Sequence, residues 1–253
     1  MQYNRNSPTY LVQLVDLFLM ELTNWRWSWQ MMLLTSTITP MLSIVGLGLF
    51  VHNGGKETLI YILTGNIVLS LMFGNMDKVQ SRFSFMRITG TLDYFATLPV
   101  QRSLLILAIL LSFLLLSLPS FVLTLLFGSF FLGLPIILSP LIILIIPLCA
   151  IPLATIGALI GVTSRSPQEA GSISLLLTLL MVAIGPVIIP ADRLPGFMLI
   201  LGRISPATYA ASALRQALLG PLTGEIFIDI AVLATMTCVA LWIVGRKLDW
   251  RQK

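Results

Sequence analysis

Along the chain, stretches of uncharged apolar residues alternate with short segments that collect the charges. Six stretches, 30–51, 59–76, 103–127, 135–162, 171–190 and 226–245, approach or exceed the roughly 20 residues a helix needs to cross the hydrocarbon core of a bilayer, and only the last holds an acid, Asp229. Lipid offers backbone amides no partner, so each stretch must satisfy its own hydrogen bonds as a helix, and none alternates in the manner of a membrane barrel strand. Residues 103–164 contain no Asp, Glu, Lys or Arg. Gly and Pro in 128–135 mark a tight reversal within that stretch, so spans three and four form a hairpin. The chain reads as an all-α polytopic membrane protein with a single transmembrane domain over 1–253.

Three segments depart from a plan of spans and turns. In 10–29, Leu11, Leu14, Val15, Phe18, Leu22, Trp25 and Trp29 recur at helical spacing while Gln13, Asp16 and Asn24 fall opposite. That pattern predicts an amphipathic helix in the membrane interface, with Trp25, Trp27 and Trp29 at headgroup depth; a longer, irregular first span is the alternative. The segment 77–102 is too long for a turn and mixes Arg82, Arg87, Asp93 and Arg102 with Phe83, Phe85, Met86, Leu92, Tyr94, Phe95 and Leu98. Here Thr91 is placed as a helix N-cap, Asp93 in the first turn complements the helix dipole, and Pro99 ends the short helix. A small amphipathic helix ready to dock into a partner's groove fits this pattern, as does a helix resting on lipid. In 191–224, the apolar pieces 196–202 and 207–219 are too short to cross and are interrupted by Arg193, Arg203 and Arg215. Two helices that dip into the outer leaflet and return, broken at Ser205 and Pro206, are expected, with a surface amphipathic hairpin as the other reading.

Composition agrees with a bilayer as solvent. The chain is 57% hydrophobic and 10% charged, with a mean hydropathy of +0.97, whereas a soluble domain carries about a quarter charged residues. The net charge of +5 does not imply nucleic acid, because the charges sit between the apolar runs. Their distribution sets orientation instead. One side collects Arg5, Arg26, Lys78, Arg82, Arg87, Arg102, Arg165, Arg246, Lys247, Arg251 and Lys253, 11 of the 15 Lys and Arg, against Lys56, Arg193, Arg203 and Arg215 on the other. The excess places both termini and the loops after spans two and four in the cytoplasm, in a multi-pass plasma (inner) membrane protein. Asp16 and Glu21 break the first apolar region and no small-residue cleavage site follows, so a cleaved signal peptide is not expected. Cys149 and Cys238 lie in apolar stretches, where a thiol acts as a small hydrophobe.

The residues supply little machinery for chemistry, and no catalytic or metal-binding residue is assigned. Gly55 and Lys56 are followed by Glu57, and Phe50 stands where a phosphate-cradling loop needs its first glycine, so no nucleotide site is expected. A single histidine, His52, in an outer loop and two thiols in different spans cannot supply the usual three or four metal ligands. The spans also lack the midplane acids and bases of an ion-driven carrier. Asp229, beside Glu225, is read as shallow and solvated. Gly157 and Gly161 form a small-xxx-small pair suited to close helix approach. Pro119, Pro140, Pro147 and Pro152 in spans three and four, and Pro186 and Pro190 in span five, are bends that could serve as hinges or be passive.

The order of these elements resembles the type-2 permease family of ABC transporters, of the drug- or lipid-exporter kind. The segment 87–102, RITGTLDYFATLPVQR, is similar to the family's Gly-Thr-Leu followed by an acid, then Pro-Val and Arg. Leu194-Pro195, ISPATY at 204–209 and Ala213-Leu214-Arg215 resemble its proline-tyrosine-arginine signature before the last span. The resemblance implies a coupling helix between spans two and three that docks on a separate ATPase subunit through Gly90, Thr91, Leu92 and Asp93, bounded by Pro99 and flanked by Arg87 and Arg102. It implies an outer gate in the re-entrant segment at Pro195, Pro206, Tyr209 and Arg215. Two permease copies, or this chain and a paralogue, would line the pathway among membrane lipids, with ATP and Mg held by the partner and no cofactor here. The region around Asp16 and Glu21 is less basic and aromatic than in polysaccharide exporters of the family, so a hydrophobic or amphipathic substrate is expected. Glycoconjugate export, and a membrane anchor that moves nothing, are the alternatives.

Overall fold

The computed structural model describes residues 10–51, 55–98, 100–136, 139–220 and 223–247. These residues form eleven α-helices, a π-turn and a short 3-10 turn, with no strand among them. Helix α1 (Tyr10–Asn24) leads into α2 (Trp29–Phe50), the first span. The second span is α3 (Gly55–Leu71), a π-turn (Met72–Asp77) and α4 (Lys78–Ile88), 34 residues without a break, followed by the short α5 (Thr91–Thr97). Spans three to five are α6 (Arg102–Leu132), α7 (Ile142–Thr163) and α8 (Pro167–Ile184). A bent pair, α9 (Gly196–Gly202) and α10 (Pro206–Leu218), meets at 90° before the last span, α11 (Glu225–Lys247). Six helices are thus long and apolar enough to cross a membrane, as expected from the hydropathy pattern.

Several boundaries move. The second span does not end at 76: Val79, Gln80, Phe83, Ser84 and Met86 are buried against α7, so the helix continues through a polar stretch that hydropathy alone reads as loop. Gly128 does not turn the chain either. It sits inside α6 with Leu63 and Ile44 pressed against it, and the reversal falls at Gly133, whose φ of 65° closes α6 in the left-handed conformation. Pro186 and Pro190 bend no span, because α8 stops at Ile184 before reaching them.

Two glycines set the packing of the centre. A methyl on Gly157 would collide with the Met76 carbonyl oxygen, and one on Gly161 would lie 2.5 Å from that of Gln80. Through this small-residue face α7 lies directly on the backbone of the π-turn and α4. The π-turn is itself held by a side chain: Asn75 Nδ2 donates to Leu71 O and to Ser117 Oγ, both at 3.0 Å. Gly74 makes room for the same Ser117 of α6. Two apolar cores lie at opposite ends of this contact, one around Leu71, Leu153 and Leu214 and the other around Phe83, Ile109 and Phe113.

Helix α1 packs along α6, and its inward face is shifted from the predicted one at several positions. Gln13, Leu17 and Glu21 are buried, while Leu11, Val12, Val15 and Leu19 are exposed. Of the side that sequence periodicity assigns to water, Asp16 and Asn24 are exposed and only Gln13 turns inward, and of the apolar side Leu14, Phe18 and Trp25 pack against the core; Glu21 is buried beside Arg82. Trp25 also turns in, edge-on to Phe113 at 5.3 Å, whereas Trp27 is 90% exposed.

Substituting Gly157 by Ala is expected to destabilise the protein by about 1–3 kcal/mol through overpacking against backbone. Gly171→Ala, where nothing lies within 4 Å, serves as control and should leave detergent thermal melting unchanged. Equal melting of both variants would show that the α7 contact is looser than drawn.

Candidate functional site

At the end of the bundle that carries Arg82, three connected features hold the extension of span two. Glu21, fully buried, accepts two bonds from Arg82, from Nε at 3.0 Å and from NH2 at 2.6 Å. This is the two-pronged geometry in which guanidinium and carboxylate pair best. With its amide set to satisfy the network, Asn24 Oδ1 accepts from both terminal nitrogens of Arg82 at 3.1 Å. The pair fastens α1 to α4.

One turn and a half further, Arg87 NH1 donates to Val162 O at 2.8 Å and to Ser164 O at 2.5 Å. These are carbonyls at the C-terminal end of α7, which have no intrahelical partner and lie at the negative end of the helix dipole. Arg87, expected as a flanking charge, thus ties α4 to the end of α7. The next loop is built as well: Ser166 Oγ accepts from Glu169 N at 3.1 Å, and Glu169 Oε2 accepts from Arg165 N at 2.8 Å, which caps α8.

Beyond α4 the chain turns sharply. Gly90 has φ of 68°, a conformation that costs other residues about 1–2 kcal/mol, and its carbonyl accepts from Tyr94 N to start α5. Gly90, not Thr91, is thus the residue before the first helical turn; Thr91 pairs its hydroxyl with that of Thr89 at 2.7 Å. Leu92 and Phe95 are 5% and 4% exposed and join the core around Phe83 and Phe113. Asp93, Tyr94, Ala96, Thr97 and Leu98 are exposed, as is Phe85 on α4. So Leu92, expected at a docking surface, packs inward and seats the helix, while Tyr94 and Phe85 are exposed. Arg102 opens α6 at a cavity of about 590 Å³ that it shares with Leu241 and Gly245 of α11. Pro99 lies outside the described residues, as does His52.

At the opposite end, α10 buries a stripe of Ala207, Ala210, Ala211, Ala213, Leu214, Ala217 and Leu218 against α3, α7 and α11. Its companion α9 does the reverse and bares Phe197, Ile200 and Leu201. Pro195 and Pro206 precede and open these helices, where a missing N–H costs nothing. Tyr209 OH donates to Arg203 O at 2.8 Å and ties the bend. The Arg215 guanidinium lies 3.4 Å above the Tyr61 ring and its NH2 donates to Pro186 O at 3.3 Å. Next to it, Gln216 Nε2 donates to Asp229 Oδ2 at 3.3 Å, and Gln216 Oε1 accepts from Thr223 N and Oγ1. Asp229, read from sequence as solvated, is 6% exposed and belongs to this network. Arg215 and Gln216 thereby link α10 to spans two and six and to the stretch after span five.

Six spans, a bent helical pair before the last one and a rigidly seated knuckle after the second define a polytopic membrane transport component. The profile of the ABC-2 type transporter family matches residues 12–219, and the chain belongs to that family. It is accordingly a permease component of an ABC transporter, a class that works with an ABC ATPase subunit. No curated protein matches it.

Sequence reasoning brought forward Arg87, Gly90, Tyr209 and Arg215 but missed Glu21, Arg82, Tyr61 and Asp229 as partners. The signal for the first pair was present: an acid inside an apolar segment needs a cation to be buried with. Breaking a buried pair leaves an uncompensated charge, so Glu21→Ala should cost about 3–5 kcal/mol, while Glu21→Leu with Arg82→Met should regain most of it. Additive losses in thermal melting of the singles and the double would remove the assigned pairing.

Proposed function

We propose that this chain forms the membrane pathway of an ATP-driven exporter for a hydrophobic or amphipathic substrate, powered by a separate nucleotide-binding subunit that docks on α5. One observation carries this reading: a seven-residue helix is anchored by Leu92 and Phe95 and leaves Asp93, Tyr94 and Thr97 exposed at the end of an unbroken 34-residue span. Force applied to that knuckle reaches α4 directly, then α7 through Arg87, and then the π-turn, where irregular hydrogen bonding makes a bend least costly.

In this reading the docking end faces the cytoplasm, with both termini, in the plasma (inner) membrane, as the Lys and Arg asymmetry supports. ATP and Mg belong to the partner, and a second copy or a paralogue completes the pathway. The α9–α10 pair serves as outer gate, with Pro195, Pro206 and Tyr209 shaping the bend and Arg215 latching it to Tyr61. The greasy character of the substrate rests on spans almost without ionisable groups.

Tyr94→Ala, an exposed aromatic, should weaken association with the ATPase by about 2 kcal/mol, roughly thirtyfold, without lowering melting temperature. Leu92→Asp should abolish stimulated ATP hydrolysis while membrane insertion remains, because the knuckle is unseated. Unchanged stimulation in both variants would refute docking on α5. Pro206→Ala and Tyr209→Phe should reduce export more than assembly, and wild-type export by both would count against a gate.

A further inference from the structure

Between the end of α4 and the loop joining α7 to α8 lies a cavity of about 280 Å³ lined by Ser84, Arg87, Ile88, Ser164, Arg165 and Ser166. Its chemistry is one-sided. Two arginines and three serines line it, with Ile88 the one apolar residue and no acid among them. Ser84 and Ser164 are 2% and 4% exposed, and the Ser164 hydroxyl donates to Ile160 O at 2.7 Å. Arg87 is fixed by its two bonds to α7 carbonyls, so its position is set before any ligand arrives. Arg165 is exposed and forms no ion pair among the described residues. Glu169, four residues on, accepts from the Arg165 backbone N–H. Ser166 Oγ is occupied as an acceptor by Glu169 N, which leaves its proton to be donated elsewhere.

Depth narrows the ligand. Helix α7 has 22 residues and is therefore about 33 Å long, just enough to cross the hydrocarbon core, so its end at Thr163 lies at headgroup level. Planar guanidinium groups match phosphate oxygens in pairs, and basic pockets between spans at this depth suit anionic headgroups. Helix α8, which leaves the cavity through Pro167, is apolar and largely exposed, with Leu175, Leu176 and Leu179 each more than half exposed. It offers acyl chains a wall to lie along. We infer that this cavity binds the phosphate of an anionic phospholipid headgroup, bridging Arg87 and Arg165 and bracing α4 against the α7–α8 loop beside the α5 knuckle.

The test uses the purified full chain exposed to phosphatidylcholine vesicles with and without phosphatidylglycerol, retained lipid being counted by native mass spectrometry. One phosphatidylglycerol should be retained in preference to phosphatidylcholine. Arg165→Gln should weaken that retention about fivefold, the share of one cation near an anionic surface, and Arg165→Lys should keep most of it. Ile88→Glu, at a position 58% exposed and therefore tolerant of change, should expel the lipid by placing a carboxylate at the rim. Wild-type retention in Arg165→Gln and Ile88→Glu overturns the site. Stoichiometric binding of inorganic phosphate that displaces the lipid would reassign it to a free anion. Loss of ATPase association in Arg165→Gln with lipid retention unchanged would reassign it to the protein partner.

Discussion

The approach of α7 to the backbone of span two, through Gly157 and Gly161, is the contact on which the remaining arrangement rests. In a bilayer, helices gain little from the hydrophobic effect when they meet, so close van der Waals packing between small residues has to do the work. With no side chain on either glycine, α7 reaches the carbonyls of Met76 and Gln80. That brings its C-terminal end within reach of Arg87, and Arg87 in turn holds the last turn of α4, from which α5 projects. A larger residue at 157 would push apart the π-turn, the Arg87 clamp and the base of the knuckle together.

Charge is handled at both ends by the same rule, that a buried ion must have its partner and its remaining hydrogen bonds supplied. At one end Glu21 and Asn24 surround Arg82 and tie α1 to span two. At the other, Tyr61, Pro186 O and the neighbouring Gln216–Asp229 bond hold α10. Both are cross-braces on span two, one below the π-turn and one above it. A span braced at its ends and irregular near its middle has one soft place, the π-turn held by Asn75 and Ser117.

The amphipathic segments show how one pattern resolves differently in different surroundings. Alanine-rich α10 buries its small residues against three helices, while α9 bares Phe197 and Ile200 although the two are separated by a single bend. Helix α5 divides more evenly, with Leu92 and Phe95 inward and Asp93, Tyr94 and Thr97 outward.

Six spans, the two-helix segment before the last of them, the short helix after span two and the small-residue face of α7 were all legible in the linear order of residues, because lipid requires long apolar helices and the departures from that plan are few. The tertiary structure alone decided which face of each helix turns inward. Glu21 reads only as an acid that breaks an apolar segment until Arg82 is placed beside it, and Asp229 looks exposed until Gln216 reaches it. Leu92 reads as a docking residue until the core beneath α5 claims it. Periodicity reports that a helix has two faces; small polar residues such as Thr64 and Thr155 go inward by bonding the carbonyl one turn back, but a buried charge such as Glu21 needs a partner distant in sequence, and such partners are brought together by folding.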